Sequence, residues 1–241
     1  MPKITKPKNV YSNTRLITQP PINIDGLLMN TKQTMDGLIL LTKIPSNAIP
    51  LVFFDPQYRH ILDKQAYGNE GARQKQRALL PQMTEATICR FLNEIERVLI
   101  PSGHLMLWID KYMLCTSTDS LLSHSNLHLV DMITWNKRRM GMGYRTRRYS
   151  EFLLVLQKSP KRAKGVWKIH NIPDVWDEKV DSVNHTHTKP IQLQAQLILA
   201  VTNEGDIVVD PAAGSYSVMT ATINTKRNFI GCDISGDFNN D

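Results

Sequence analysis

The sequence predicts an α/β fold built on a mainly parallel sheet, and three observations carry that expectation. Short apolar runs alternate along the chain with longer stretches whose apolar residues recur at helical spacing. Several of the short runs lack polar alternation, as strands buried on both faces of a parallel sheet require. The length of 241 residues suits one sizeable domain or two cramped ones, at roughly 100–200 residues per domain.

The elements follow in chain order. Residues 1–24 are expected to form an N-terminal arm, with Lys3, Lys6 and Lys8 in its first nine residues and no apolar pattern there. Ile49–Phe54 (IPLVFF) reads as a fully buried strand. Glu85–Leu99 places Ile88, Phe91, Leu92, Ile95 and Leu99 on one stripe, which predicts an amphipathic helix. Pro101 and Gly103 are expected to end that helix before a strand at Leu105–Ile109. Leu127–Trp135 and Phe152–Leu156 read as two strands joined by the polar stretch 136–151. Ile191–Val201 reads as a helix entered through Pro190, and the strands Ile207–Val209 and Phe229–Gly231 flank a helix at Ser217–Thr225. No fixed period recurs, which sets aside a repeat solenoid.

Composition narrows the class. With 41% hydrophobic and 21% charged residues, the chain is ordinary for a globular protein, which argues against disorder or a fibre. No apolar run approaches the roughly 18 residues of a membrane-spanning helix. The N-terminus has lysines but no apolar segment after them, so no secretory signal is expected. Cys89, Cys115 and Cys232 are far apart and odd in number. A disulfide framework or zinc site is therefore not expected, and a reducing cytoplasm is. His185 and His187 with Cys232 lack ligand spacing, so no metal is expected. The net charge of +7 suits a polyanionic partner.

Ligands of parallel α/β sheets gather outside the carboxyl ends of the strands. The residues there are Asp55-Pro56-Gln57-Tyr58 after the first strand, Asp210-Pro211-Ala212-Ala213-Gly214-Ser215 after a later one, and Asp233 after the last. A strand ending in Asp, a small-residue turn and a helix start let a ligand approach the backbone. The same arrangement also occurs in proteins without a ligand there. Asp233 lies 23 residues beyond Asp210, where an acid is placed to bind ribose hydroxyls. Asp55–Tyr58 combines an acceptor carboxylate, a carbonyl and a ring face, a set that fits a planar base with an exocyclic amine. Read alone, it is equally a type I turn with Asp and Pro in their favoured places.

Together these elements resemble the amino-group DNA methyltransferases, whose catalytic motif is (D/N/S)PP(Y/F). With the catalytic half first and the cofactor half last, the order is similar to that of their β class. His185, Lys189 and Pro190 resemble the family's HPTQKP element, and Pro190 lies 20 residues before Asp210. Trp135, Lys137, Gly141, Gly143, Tyr144, Arg148 and Glu151 match its W-x-K…G-x-G-Y…R…E stretch. The resemblance runs from about residue 25 to residue 234. The chain departs from the pattern at Gln57, where a second proline is usual, at Ala212, where Phe is usual, and at Tyr216, where Gly is usual. Tyr216 is expected to narrow the cofactor pocket.

The resemblance implies a Rossmann-like class I methyltransferase fold with helices on both faces, a late antiparallel strand and a circularly permuted motif order. It implies S-adenosyl-L-methionine as methyl donor, double-stranded DNA as partner, and a restriction–modification setting. Asp55 and the Pro56 carbonyl would accept the two N–H groups of the target amine, with Gln57 beside them and Tyr58 stacked on the extruded base. Phe54, Asp55, His185, Lys189, Asp210, Ala212, Ala213, Gly214, Ser215 and Asp233 would line the cofactor. The basic run at 137–148 supplies Lys137, Arg138, Arg139, Tyr144, Arg145, Arg147 and Arg148 as candidate DNA contacts, and Arg73, Lys75 and Arg77 form a second group.

The expected division is a catalytic half at 25–157, a short target-recognition or linker segment at 158–184, and a cofactor half at 185–241 of one domain. The favoured activity is methylation of adenine N6. The alternatives are cytosine N4, or a degenerate DNA-binding methyltransferase homologue that needs a partner. Specificity is left open between loops, a homodimer and a partner subunit.

Overall fold

The computed structural model describes residues 24, 26–57, 83–116, 118–141, 146–179 and 188–234. In chain order the elements are α1 (Gly37–Lys43), β1 (Ile49–Phe54), α2 (Glu85–Val98), β2 (Leu99–Ile109), α3 (Lys111–Thr116) and α4 (Thr118–Leu122). They continue with β3 (Leu127–Asn136), β4 (Ser150–Lys158), β5 (Val175–Asp177), α5 (Ile191–Val201), β6 (Ile207–Asp210), α6 (Ser217–Asn224) and β7 (Asn228–Gly231). The seven described strands form one sheet in the order β5-β3-β4-β2-β1-β6-β7. Among them only β4 runs against its neighbours: it is antiparallel to β2 and β3, while β1/β2, β1/β6, β6/β7 and β3/β5 are parallel.

The unbroken apolar run of β1 follows from its central place. All six of its residues are buried. Val52 and Phe54 face Leu40 and Leu41 of α1 and Ile88 and Leu92 of α2. Leu51 and Phe53 face the opposite layer, with Leu193 and Leu197 of α5 and Val218 of α6. Each such side chain contributes about 1.5–3 kcal/mol on full burial, so the two layers clamp the sheet from both faces. Phe54 stacks on Phe91 with ring centroids 4.8 Å apart, which fixes α2 directly beneath the end of β1.

The largest boundary difference from the sequence expectation lies at β2; β4 is also two residues longer at each end than expected. β2 begins at Leu99, immediately after α2, and runs through Pro101 and Gly103. Between the pairs Ile49↔Leu99 and Leu51↔His104 the register shifts, and Ser102 takes a φ of 62°. Pro101 and Gly103 therefore mark an irregularity inside a strand, where extra residues are accommodated without ending it.

The short helix α1 has no counterpart among the sequence expectations. Asp36 caps it, accepting from the Leu38 and Ile39 amides at 2.7 and 3.2 Å. Its first residue has to be glycine: a Cβ on Gly37 would sit 2.1 Å from the Pro211 carbonyl oxygen. This close approach seats α1 on the turn that follows β6. No described helix is long and apolar enough to cross a membrane.

Candidate functional site

The strand order reverses between β1 and β6. From β1 the chain crosses to β2 on one side, while β6 and β7 lie on the other. A crevice opens outside the strand ends at such a point. The register sets what lines it: Val52 pairs with Val209 and Asp210 with Gly231. Asp55, Asp210 and Asp233 thus emerge at the same edge of three adjacent parallel strands, as expected from the sequence.

Asp55 is linked to a lysine that lies far away in sequence. Lys189 Nζ is 3.0 Å from Asp55 Oδ2 and 2.8 Å from Glu151 Oε2, and Lys137 Nζ is 3.1 Å from Glu151 Oε1. Lys189 also lies 4.8 Å above the ring centroid of Trp108, a cation–π contact. Burial opposes its ammonium charge, but Asp55 and Glu151 outweigh that and hold Lys189 above the usual lysine range. Burial likewise works to raise Glu151, yet Lys189 and Lys137 bring its carboxyl down to about 2.

The scaffold explains how Lys189 reaches this place. Glu151 stands opposite Trp135 in the β3/β4 ladder, and Lys137 follows at the end of β3. Lys189 precedes α5, whose N-cap Pro190 has no side chain able to bond the helix amides. Glu178 supplies the missing cap, accepting from the Gln192 and Leu193 amides at 3.0 Å each. Its backbone carbonyl also takes the Trp135 indole N–H at 2.8 Å. The segment before α5 therefore sets the helix start, and with it the lysine.

The other side of the crevice is the turn after β6. Asp210 is buried and accepts the Ala212 amide at 3.1 Å. Burial raises its carboxyl to about 8; the Ala212 bond opposes this, and Asp55 and Asp233 add to it. Asp233 Oδ2 accepts from the Gly214 amide at 3.1 Å. Gly214 has a φ of +48°, and a Cβ there would meet nothing within 4 Å. The turn thus presents open space against its own backbone, beside a partly exposed carboxylate.

Of the remaining expected residues, Phe54 and Ala213 are buried and Pro56 lies under the edge, while Gln57, Ala212 and Ser215 are partly exposed. The Gln57 carbonyl accepts the Met83 amide at 2.9 Å, which joins the end of β1 to the residue just before α2. Tyr58, Arg73, Lys75, Arg77, Tyr144, Arg145 and His185 lie outside the described residues. In the basic run, Lys137 turns inward to Glu151 and Arg138 faces Asp177 at 3.5 Å. Arg139 and Arg147 are exposed, Arg148 is partly so, and Arg147 Nε donates to the Gly141 carbonyl at 2.7 Å. Cys89, Cys115 and Cys232 are free thiols, and no cluster able to hold a metal occurs among the described residues.

Tyr216 does not narrow the crevice. Its side chain is 2% exposed and packs edge-on against Phe229, with centroids 6.0 Å apart. The ring turns into the core because the residue itself adopts a left-handed conformation, φ 57° and ψ 28°. Burial lifts its phenol above the usual tyrosine range.

Three further residues around the site go unnamed among the sequence expectations. Asp110 follows β2 as Asp55 follows β1, and its Oδ1 accepts the Tyr112 and Met113 amides at 2.6 and 2.9 Å. The strand-end rule that finds the other acids applies to it equally. Trp108 and Gln33 carry no local signal, since both act through partners distant in sequence.

Comparison with known proteins agrees with this geometry. The N6/N4 family profile, described as a DNA methylase, matches residues 49–240. The chain is 56% identical over 216 residues to the Type II methyltransferase M.HhaII of Haemophilus parahaemolyticus, covering 88% of this chain and 95% of the relative. Among solved structures, a complex of M1.HpyAVI with SAM superposes with a TM-score of 0.61 at 18% identity, covering 86% of this chain and 95% of that one. The cytosine-N4-specific PvuII DNA methyltransferase gives a TM-score of 0.64 at 15% identity, covering 86% and 83%. At these identities the two structures speak for the fold, a class I methyltransferase fold with its sheet and helix layers.

Proposed function

The chain belongs to the N6/N4 DNA methylase family, and on that premise we propose that it transfers a methyl group from S-adenosyl-L-methionine to the exocyclic N6 of an adenine held outside the duplex. The observation that carries this reading is the meeting of two half-sites across the strand switch point. Asp55 stands on one side, and the Asp210–Gly214 turn with Asp233 on the other.

The turn fits the cofactor. The open space against Gly214 and the partly exposed Asp233 match an adenosine whose ribose hydroxyls need an acceptor. Asp233 would hold the ribose, and Ala212, Ala213, Gly214 and Ser215 would shape the approach. When bound, the sulfonium supplies an activated methyl group, which leaves the protein mainly an alignment task.

Asp55 and the Pro56 carbonyl perform that alignment by accepting the amine's two N–H bonds. They direct the nitrogen lone pair at the methyl carbon and are in place before the reaction begins. The methyl group would pass to the nitrogen with the thioether as leaving group, and the proton that the methylated nitrogen sheds would go to solvent. Lys189 is a charged ammonium held between two carboxylates, so it positions Asp55 and does not accept that proton. Tyr58 would stack on the extruded base, worth roughly 1–3 kcal/mol per base in single-strand binding.

Arg139, Arg147 and Arg148, with Arg73, Lys75, Arg77, Tyr144 and Arg145, would contact the DNA, and His185 would lie on the cofactor side. Residues 25–157 would form the catalytic half, 158–184 the short recognition or linker segment, and 185–241 the cofactor half. Loops, a homodimer or a partner subunit would complete target recognition, and a cytoplasmic location fits three free thiols. Asp55→Ala tests the reading: methyl transfer should vanish while cofactor titration by calorimetry stays nearly unchanged. Retained turnover would remove Asp55 from the chemistry.

A further inference from the structure

We propose that Tyr216 is a positioning residue for the cofactor site: its hydroxyl, acting through the backbone of Gln33, fixes Asp233 against the Gly214 turn. The inference rests on the cofactor reading above and adds a residue at a position where the family usually has glycine.

A chain of hydrogen bonds forms the path. The Tyr216 hydroxyl donates to the Gln33 carbonyl at 2.9 Å and accepts the Gln33 amide at 3.2 Å. The same Gln33 carbonyl accepts the Asp233 amide at 3.0 Å, and the Asp233 carbonyl accepts the Met35 amide at 3.1 Å. Thr34 and Asp233 consequently pair as an isolated parallel bridge. On its far side, Asp233 Oδ2 takes the Gly214 amide at 3.1 Å, two residues before Tyr216 itself. The path closes on the turn where it began.

The backbone gives independent support. A bulky residue at φ 57° is disfavoured, which is why glycine suits this position. Here the left-handed conformation is what sends the ring inward beneath β7, between Phe229 and the segment that carries Gln33. Strain at such a place persists only where surrounding contacts over-determine it. The Gln33 side chain contributes to that, donating to the Leu28 carbonyl at 2.9 Å and accepting the Leu28 amide at 3.2 Å. Asn30 holds this segment along the edge of β7, its amide donating to the Phe229 carbonyl and its Oδ1 accepting the Phe229 amide, each at 2.8 Å, and the tyrosine hydroxyl adds a pin beside Asp233. Without that pin the Asp233 carboxylate would keep its neighbours but lose its fixed direction.

Tyr216→Phe tests this, because it keeps the ring and removes only the hydroxyl. Calorimetric titration of the full chain with S-adenosyl-L-methionine should give binding about 5-fold weaker than wild type, since only part of the loss of the hydroxyl's two hydrogen bonds reaches the cofactor site. In an Asp233→Asn background the same change should alter affinity by less than about 1.5-fold, since its effect runs through Asp233. Without cofactor, hydrogen exchange at the Asp233 amide should be faster in Tyr216→Phe. Unchanged affinity and protection would overturn the proposal, as would an equal loss of affinity in both backgrounds. Absence of binding by the wild type would overturn the cofactor reading and this inference with it.

Discussion

Lys189 Nζ sits 3.0 Å from Asp55 Oδ2 and 2.8 Å from Glu151 Oε2, joining the end of β1, the start of β4 and the entry to α5 at one point. The sequence resemblance puts Lys189 near the cofactor; the structure also pairs it with Asp55, the proposed catalytic carboxylate. A buried cation between two acids fixes where both point. Lys189→Met should therefore lower the rate of methyl transfer by on the order of 10²-fold through misplacement of Asp55. Lys189→Arg should restore only part of it, since a planar fork replaces a point charge. Single-turnover transfer and cofactor affinity, measured separately, check this: affinity falling in step with rate would make Lys189 a cofactor ligand instead.

The same network sets an acid limit to stability. Glu151 titrates at about 2 in the fold against an ordinary value of 4.5. A depressed carboxylate contributes stability that is present above about 4.5 and is lost as pH falls toward about 2. Asp210 works in the opposite sense: raised from 3.8 to about 8, it makes the fold less stable as pH rises between those values. Urea midpoints measured against pH should fall steeply below about 4.5 in wild type and less steeply in Glu151→Gln. Parallel curves would remove Glu151 from the acid transition.

Much of this fold is legible in the sequence because its central strands are buried on both faces. The ends of β1 match the apolar run residue for residue, and α5, α6 and β7 agree to within a residue or so, because an unbroken apolar run or a helical stripe is a local signal. The irregularity in β2 is not legible, since Pro101 and Gly103 look the same in a bulge as in a turn. Nor is α1, because seven residues give barely two helical turns, and its stability comes from Asp36 and the close packing of Gly37 on Pro211. In the site, the three strand-end acids announce themselves by position. Glu178 as the cap of α5 and the inward turn of Tyr216 depend on contacts across the chain, which no window of sequence contains.

On the proposed reading, the described residues of the basic run that face outward would be the ones that contribute to DNA binding. Charge reversal at Arg139, Arg147 and Arg148 should weaken DNA binding and reduce its log–log salt slope by roughly 0.9 for each phosphate no longer neutralised. Reversal at Lys137 should instead disturb Glu151 and lower stability. Fluorescence anisotropy over a salt series distinguishes them; an unchanged slope in the triple variant would return the run to a solvated loop.

Adenine-N6 methylation is best checked by transfer of radiolabelled methyl from S-adenosyl-L-methionine to unmethylated genomic DNA, with digestion and separation of the nucleosides. Wild type should place label in N6-methyladenine, and Asp55→Ala should place none. Label in N4-methylcytosine would contradict the assigned base, and wild type as inert as Asp55→Ala would contradict the assigned activity.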